Sequence, residues 1–192
     1  MPDEAQPDGK EEGGASAPAG AKAPPAQDLR ELVEREYAGA VLEQTAYKDL
    51  ASEATLVVRM DALVQAGALL RDHPSARFRL LSDLTAVHYP GDERPFHVVY
   101  HLYSFDHNRR LRLKVKARDG EQVPSVVPVW GGANWMEREV FDLFGVSFKG
   151  HPDLRRILLP EDWGSHPLRK DYPLEGRGER VYTKPRRKEF GD

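Results

Sequence analysis

Residues 134–173 read NWMEREVFDLFGVSFKGHPDLRRILLPEDWGSHPLRKDYP, and the two halves of this stretch ask for different structures. The first half carries helix signals at both ends. Asn134 is a candidate cap, Glu137 is spaced to reach back to it in a capping box, and Gly145 stands where a left-handed residue stops the helix. Met136, Val140, Leu143 and Phe144 recur at helical spacing and line one apolar face. Arg138, Glu139 and Asp142 fall on the opposite side, with Arg138 and Asp142 at pairing distance along the helix. In the second half Pro152, Pro160, Pro167 and Pro173 each remove a backbone donor and bias the preceding residue away from helix. The longest helix that fits is one or two turns over Asp153–Leu159. Yet this half also holds Ile157, Leu158, Leu159, Trp163, Leu168 and Tyr172, so it is not loop-like in composition. A long irregular segment rich in large apolar residues and Arg must find partners for its backbone, which predicts a strap lying on another surface.

Working outward, residues 1–27 contain Pro, Ala, Gly and charge but no large apolar residue, and are expected to be a disordered tail. Their five acidic and two basic residues account for the whole net charge of −3. From Asp28 a helix carries Leu29, Leu32, Val33 and Tyr37 towards Gly39. Val41–Tyr47 and Thr55–Met60 read as strands. Asp61 is a candidate cap for a helix that ends before Pro74. Phe78–Tyr89 reads as a strand with a bulge or turn near Asp83. Phe96–Phe105 and Leu111–Ala117 read as a hairpin, with turn chemistry at Asp106-His107-Asn108. Gly120 and Pro124 mark a further break. This order predicts an α+β fold: a mixed or mostly antiparallel sheet covered by helices on one face, followed by a capped helix and an extended irregular C-terminal strap. The expected units are a tail (1–27), an α+β domain (28–133), a helix plus partner-docking strap (134–173) and a polar C-terminal tail (174–192), whose Pro185-Arg186-Arg187-Lys188 is read as solvated.

Composition removes several chemistries. With no cysteine there is no disulfide, thiolate nucleophile, cysteine-ligated zinc or ordinary iron–sulfur ligation. No apolar run approaches the ~18 residues of a membrane span. His97 and His101 are four apart on a strand, about 13 Å along the chain, too far to share a metal without a bend. They are expected on the sheet surface. Glu137, Glu139, Asp142, His151 and His166 match no helical two-histidine metal motif, and neighbouring cations favour ion pairing instead. There is no nucleophile elbow, and Gly131-Gly132 lacks the spacing of either phosphate-binding glycine motif. The strap's Arg and aromatic residues suit a protein interface or single-stranded nucleic acid. Across Lys149–Tyr172 five basic residues face four acidic ones, a balance that suits a protein partner better than a phosphate backbone.

The same residues carry a resemblance. Glu137-Arg138-Glu139-x-x-Asp142-Leu143-Phe144, followed at fixed gaps by His151, Arg155 and Arg156-Ile157-Leu158, resembles the signature of the C subunit of the NADH-quinone oxidoreductases, the respiratory complex I family that includes the mitochondrial 30 kDa subunit. Pro160-Glu161-Asp162-Trp163 and His166-Pro167-Leu168-Arg169-Lys170-Asp171-Tyr172-Pro173 continue it, and the likeness spans roughly residues 28–173. One departure is Ser165, where the family usually places glycine before the histidine. The resemblance implies an accessory structural subunit of the peripheral arm, on the cytoplasmic side of the bacterial inner membrane, docked on the D subunit of the same complex. It implies no cofactor in this chain, with FMN, iron–sulfur clusters, NADH and quinone handled by other subunits. It also implies membrane association only through the complex and no nucleic acid. The residues expected to serve the junction are Glu137, Arg138, Glu139 and Asp142. Those expected to anchor the strap to the partner are His151, Arg155, Arg156, Asp162, Trp163, His166, Arg169, Lys170, Asp171 and Tyr172. The alternatives are the equivalent subunit of a membrane-bound hydrogenase or of an F420- or ferredoxin-type dehydrogenase and, more distantly, a stand-alone metal-dependent hydrolase.

Overall fold

The computed structural model describes residues 26–46 and 53–178. The expected tail at 1–27, apart from its last two residues, Tyr47 at the end of the first strand, and the basic run at 185–188 lie outside the described residues. Helix α1 (Ala26–Glu36) leads into strands β1 (Val41–Ala46) and β2 (Glu53–Val58). A short 3-10 turn (Met60–Ala62) and helix α2 (Leu63–Asp72) follow, then β3 (Leu80–His88), β4 (Phe96–Ser104) and β5 (Arg109–Ala117). The two-residue strands β6 (Val123–Pro124) and β7 (Phe148–Lys149) flank helix α3 (Ala133–Phe144) and pair in parallel.

The five long strands form one sheet in the order β1-β2-β5-β4-β3. All neighbours are antiparallel except β2 and β5, so the sheet is mixed. Alternation decides the faces. Leu111, Leu113, Val115 and Ala117 of β5 and Phe96, Val98, Tyr100 and Leu102 of β4 are buried towards the helices, while Arg110, Arg112, Lys114 and Lys116 point to the other side. Leu29, Leu32 and Val33 of α1, Leu63, Ala66 and Leu70 of α2, and Ala133, Val140 and Phe144 of α3 join these strands in a single core. Three helices cover one face, where the sequence suggested two. Both edge strands, β1 and β3, carry a register shift, between Val41 and Glu43 and between Leu81 and Asp83, which blunts them against edge-to-edge pairing. The β3 shift is the irregularity expected near Asp83. Gly67 lets the Trp130 indole pack closely: a Cβ there would sit a tight 3.1 Å from that ring, whose Nε1–H donates to the Phe78 carbonyl at 3.0 Å.

Three local expectations are corrected. Asp61 does not cap α2, because it lies inside the 3-10 turn and pairs with Arg59 at 2.7 Å, leaving Ala62 at the cap position. Asn134 does not cap α3 either. The helix starts two residues earlier with Gly132 at the cap and no side-chain bond there, since Glu137 turns inward instead of back. Asp153–Leu159, where at most one or two turns of helix fit, forms none and is irregular chain with bends. His97 lies on the sheet face away from the helices but does not face solvent: Tyr89 packs tilted on its ring at 4.7 Å, and it is buried.

Candidate functional site

Helix α3 carries charge on both sides, and each side solves a different problem. Glu137 is fully buried, with Oε2 accepting the Ser125 hydroxyl at 2.7 Å and Oε1 accepting the Val126 amide at 2.7 Å. No cation among the described residues pairs with it, so burial pushes its pKa up to about 7 against the pull of those two hydrogen bonds. The fully buried Tyr100 hydroxyl feels the same burial, and then this carboxylate, and is raised in turn.

Asp142, one face round the helix, is also fully buried but is surrounded by donors. Its Oδ1 accepts Arg156 at 2.6 Å, and its Oδ2 accepts the amides of Ile157, Leu158 and Leu159 at 3.0, 2.8 and 2.8 Å. Burial pushes this carboxyl up, but three N–H groups and a guanidinium outweigh it and hold the group below the usual carboxylate range. This explains how a proline-broken segment stays ordered without secondary structure: one carboxylate satisfies three consecutive backbone donors. Arg138 satisfies the acceptors, donating to the Arg155 and Arg156 carbonyls at 3.1 and 3.2 Å. Arg156 adds the carbonyls of Asp142 and Ser165, both at 3.1 Å. Arg138 and Asp142 therefore do not pair with each other along the helix; each reaches across to the strap.

Three histidines complete the seam. His151 Nε2 lies 3.0 Å from the Asn134 carbonyl, His166 Nδ1 lies 2.8 Å from the Asp142 carbonyl, and His88 Nδ1 accepts the Lys170 amide at 2.9 Å. Gly145 ends α3 with φ at 77°, and a Cβ there would meet the His166 ring at 2.6 Å. At the far end Arg169 spans Asp119 at 2.7 Å and Asp171 at 3.2 Å, with its guanidinium 4.9 Å over the Phe96 ring. The surface that the strap lies on is thus its own α3 and the rim of its own sheet.

Residues 56–178 match the family described as respiratory-chain NADH dehydrogenase, 30 Kd subunit. The chain belongs to this family. It is 47% identical over 150 residues to the NADH-quinone oxidoreductase C subunit of Methylobacterium sp. (strain 4-46), covering 78% of this chain and 68% of that one. It is 44% identical to the protein of the same name from Geotalea uraniireducens (strain Rf4), covering 76% of this chain and 87% of that one. A chain in the structure of the membrane-bound sulfane sulfur reductase, an archaeal respiratory membrane complex, superposes with a TM-score of 0.63 at 24% identity, covering 77% of this chain and 85% of that one. That likeness concerns the fold.

Within this member of the family the residues singled out from sequence fall into two sets. Arg138, Asp142, His151, Arg156, His166 and Arg169, with the Lys170 amide, bind the strap down, and Glu137 ties α3 to the loop before it. Glu139, Arg155, Asp162, Lys170 and Asp171 are exposed, while Trp163 and Tyr172 are half-buried. Of the ion pairs expected for the acidic helix, only Asp142–Arg156 forms among the described residues. Sequence reading missed Ser125, His88 and Asp119, which no local pattern connects to the strap. It also missed Trp135, 61% exposed with the Arg138 guanidinium 5.0 Å over its ring. Trp135 had a signal: it shares the side of α3 that carries Arg138 and Asp142. Leu158, also 61% exposed, points away from the seam. Among the described residues no cluster of three or more His, Asp or Glu is placed to hold a metal, and no helix is long and apolar enough to cross a membrane. A groove of about 590 Å³ lined by Leu80, His101, Tyr103, Phe105 and Arg110 opens on the uncovered sheet face, away from the strap.

Proposed function

We propose that this chain is a structural subunit of the peripheral arm of a proton-translocating NADH-quinone oxidoreductase. It binds no cofactor of its own and docks on the D subunit at the cytoplasmic face of the bacterial inner membrane. In such an assembly FMN, iron–sulfur clusters, NADH and quinone belong to neighbouring chains, and this one contributes shape. The observation that carries the reading is the strap held rigid from beneath. Its donors and acceptors are consumed by Asp142, Arg138 and Arg156, while Trp135, Leu158 and Leu168 stay exposed on or beside it. Exposed aromatic and aliphatic groups on a preordered backbone are what a partner can bury without a large ordering cost. The names of the relatives at 44–47% identity favour NADH and quinone over a hydrogenase or F420-type donor.

The test is affinity purification of the chain from native membranes, followed by identification of the co-purifying chains. The D subunit and further peripheral-arm subunits are expected. Recovery of the chain alone, or of a hydrogenase core, contradicts the reading. Arg155→Ala then separates scaffold from catalyst. It should lower the amount of assembled complex while the isolated chain stays folded, whereas normal assembly with lost quinone reduction would point to a direct role.

A further inference from the structure

Backbone groups have fixed hydrogen-bond roles, so they reveal which imidazole nitrogens carry protons. The Lys170 amide can only donate, so His88 Nδ1 is an unprotonated acceptor. The Asp153 amide donates to His151 Nδ1 at 3.0 Å, while the Asn134 carbonyl requires a proton on His151 Nε2. Both rings are therefore neutral in this structure. His166 differs: its Nδ1 faces the Asp142 carbonyl and carries its proton in either charge state. Two of the three histidines of the seam thus hold the strap through an atom that protonation would convert from acceptor to donor.

We infer that the strap is a pH-sensitive clasp, closed at its two ends by neutral His151 and His88 and pinned in the middle by Asp142 and His166, whose bonds across the seam persist when those two rings gain a proton. Protonation of those two rings loosens the ends and leaves the middle attached.

The groups around each ring support two states. His88 stacks on Phe96 of β4 at 4.6 Å, and it has Asp119, beyond β5, and Asp171, on the strap, within electrostatic reach. Arg169 holds both carboxylates. A protonated His88 has those two carboxylates as alternative partners, so losing the Lys170 amide is compensated and a second arrangement exists. Asp171 lies one residue from Lys170, so any turn of the ring towards it pulls on the same segment. His151 faces Asn134 from α3 and, on the strap, Asp153, whose carboxylate is already paired with Arg155 at 2.9 Å. With one carboxylate beside it where His88 has two, its positive charge would be less well answered, so it is the weaker sensor.

The experiment uses the isolated full chain, so the docking partner does not enter it. Imidazole ¹⁵N shifts report the tautomers, and amide exchange of Lys170, Asp153, Ile157 and Leu158, corrected for intrinsic rates, is followed from pH 8 to 5. Expected are the Nε2–H tautomer for His88 and His151 at pH 8, and a fall in Lys170 protection of about tenfold for each tenfold drop in the neutral share of His88 read from its ¹⁵N shifts. Ile157 and Leu158 should stay protected. In His88→Asn the side-chain oxygen takes the place of Nδ1 and cannot titrate, so Lys170 protection becomes independent of pH while Asp153 still responds. An Nδ1–H tautomer at pH 8, a His88 ring that does not titrate in this range, flat Lys170 protection through its titration, or the same fall in His88→Asn would each overturn the inference. The tautomer readout needs no variant.

Discussion

The sheet and the strap order comparable lengths of chain by opposite means. In the sheet, backbone ladders join neighbouring strands and apolar burial stabilises the stack, with Leu113, Val115 and Tyr100 wholly enclosed. In the strap no ladder exists beyond the two-residue pairing of β7 with β6, and most of the order comes from one carboxylate and two guanidinium groups rooted in or facing α3. Sheet stability is spread over dozens of weak contacts, while strap stability is concentrated in a few charged ones. A concentrated support can be removed by one substitution without unfolding what lies beneath it.

Asp142→Ala should break the comparison most sharply. It leaves three amides without an acceptor and removes the carboxylate facing the Arg156 guanidinium, which keeps only two carbonyl acceptors, a loss of about 3–5 kcal/mol. Trypsin should then cut at Arg155 and Arg156 while the circular dichroism of the sheet is kept. Leu113→Ala should do the reverse, destabilising the whole domain by about 2–5 kcal/mol in denaturant titration without selective strap cleavage.

The two buried carboxylates of α3 sharpen it further, because their pH dependences have opposite signs. Glu137 holds its proton up to about 7 in the folded chain against 4.5 in the ordinary state, so between those values the folded form binds a proton the unfolded form has released. Its contribution is full below pH 4.5 and falls by about 3 kcal/mol as pH rises to 7. Asp142 is depressed, so its contribution is present above the ordinary carboxylate range and is lost as pH falls below it. Glu137→Gln should flatten the decline in denaturant midpoint between pH 4.5 and 7 and leave the acid limb intact. A decline unchanged in the variant would assign it to another group.

Gly145→Ala should cost about 1–2 kcal/mol from the left-handed backbone alone and should also displace His166, read as a changed imidazole shift. Arg155→Ala is the smallest expected effect on the fold, under about 0.5 kcal/mol by denaturant titration, because the exposed pair with Asp153 contributes little and Arg138 holds the Arg155 backbone, not its side chain.

Local patterns recovered much of this. The β3 irregularity near Asp83, the β4–β5 hairpin with Asn108 at φ 46°, and the Gly145 stop all follow from short-range sterics and alternation. Glu137 and Asn134 show where such reading fails: the capping-box spacing is present, but the buried Ser125 hydroxyl and Val126 amide out-compete the helix end for the carboxylate. Arg138 and Asp142 fail for a related reason, since an exposed pair along a helix is weak and a strap full of orphan backbone groups offers each a stronger partner.

By itself the sequence determined the mixed α+β order, the end of α3, the place where regular structure must stop, and the family signature, because each depends on residues near one another along the chain. Only the tertiary structure decided that the strap lies on its own helix, that Glu137 faces a hydroxyl while Asp142 faces donors, and that His88 meets Lys170 across 82 positions. Those outcomes depend on which buried polar group finds which partner once the core has closed, and that competition has no counterpart in local spacing.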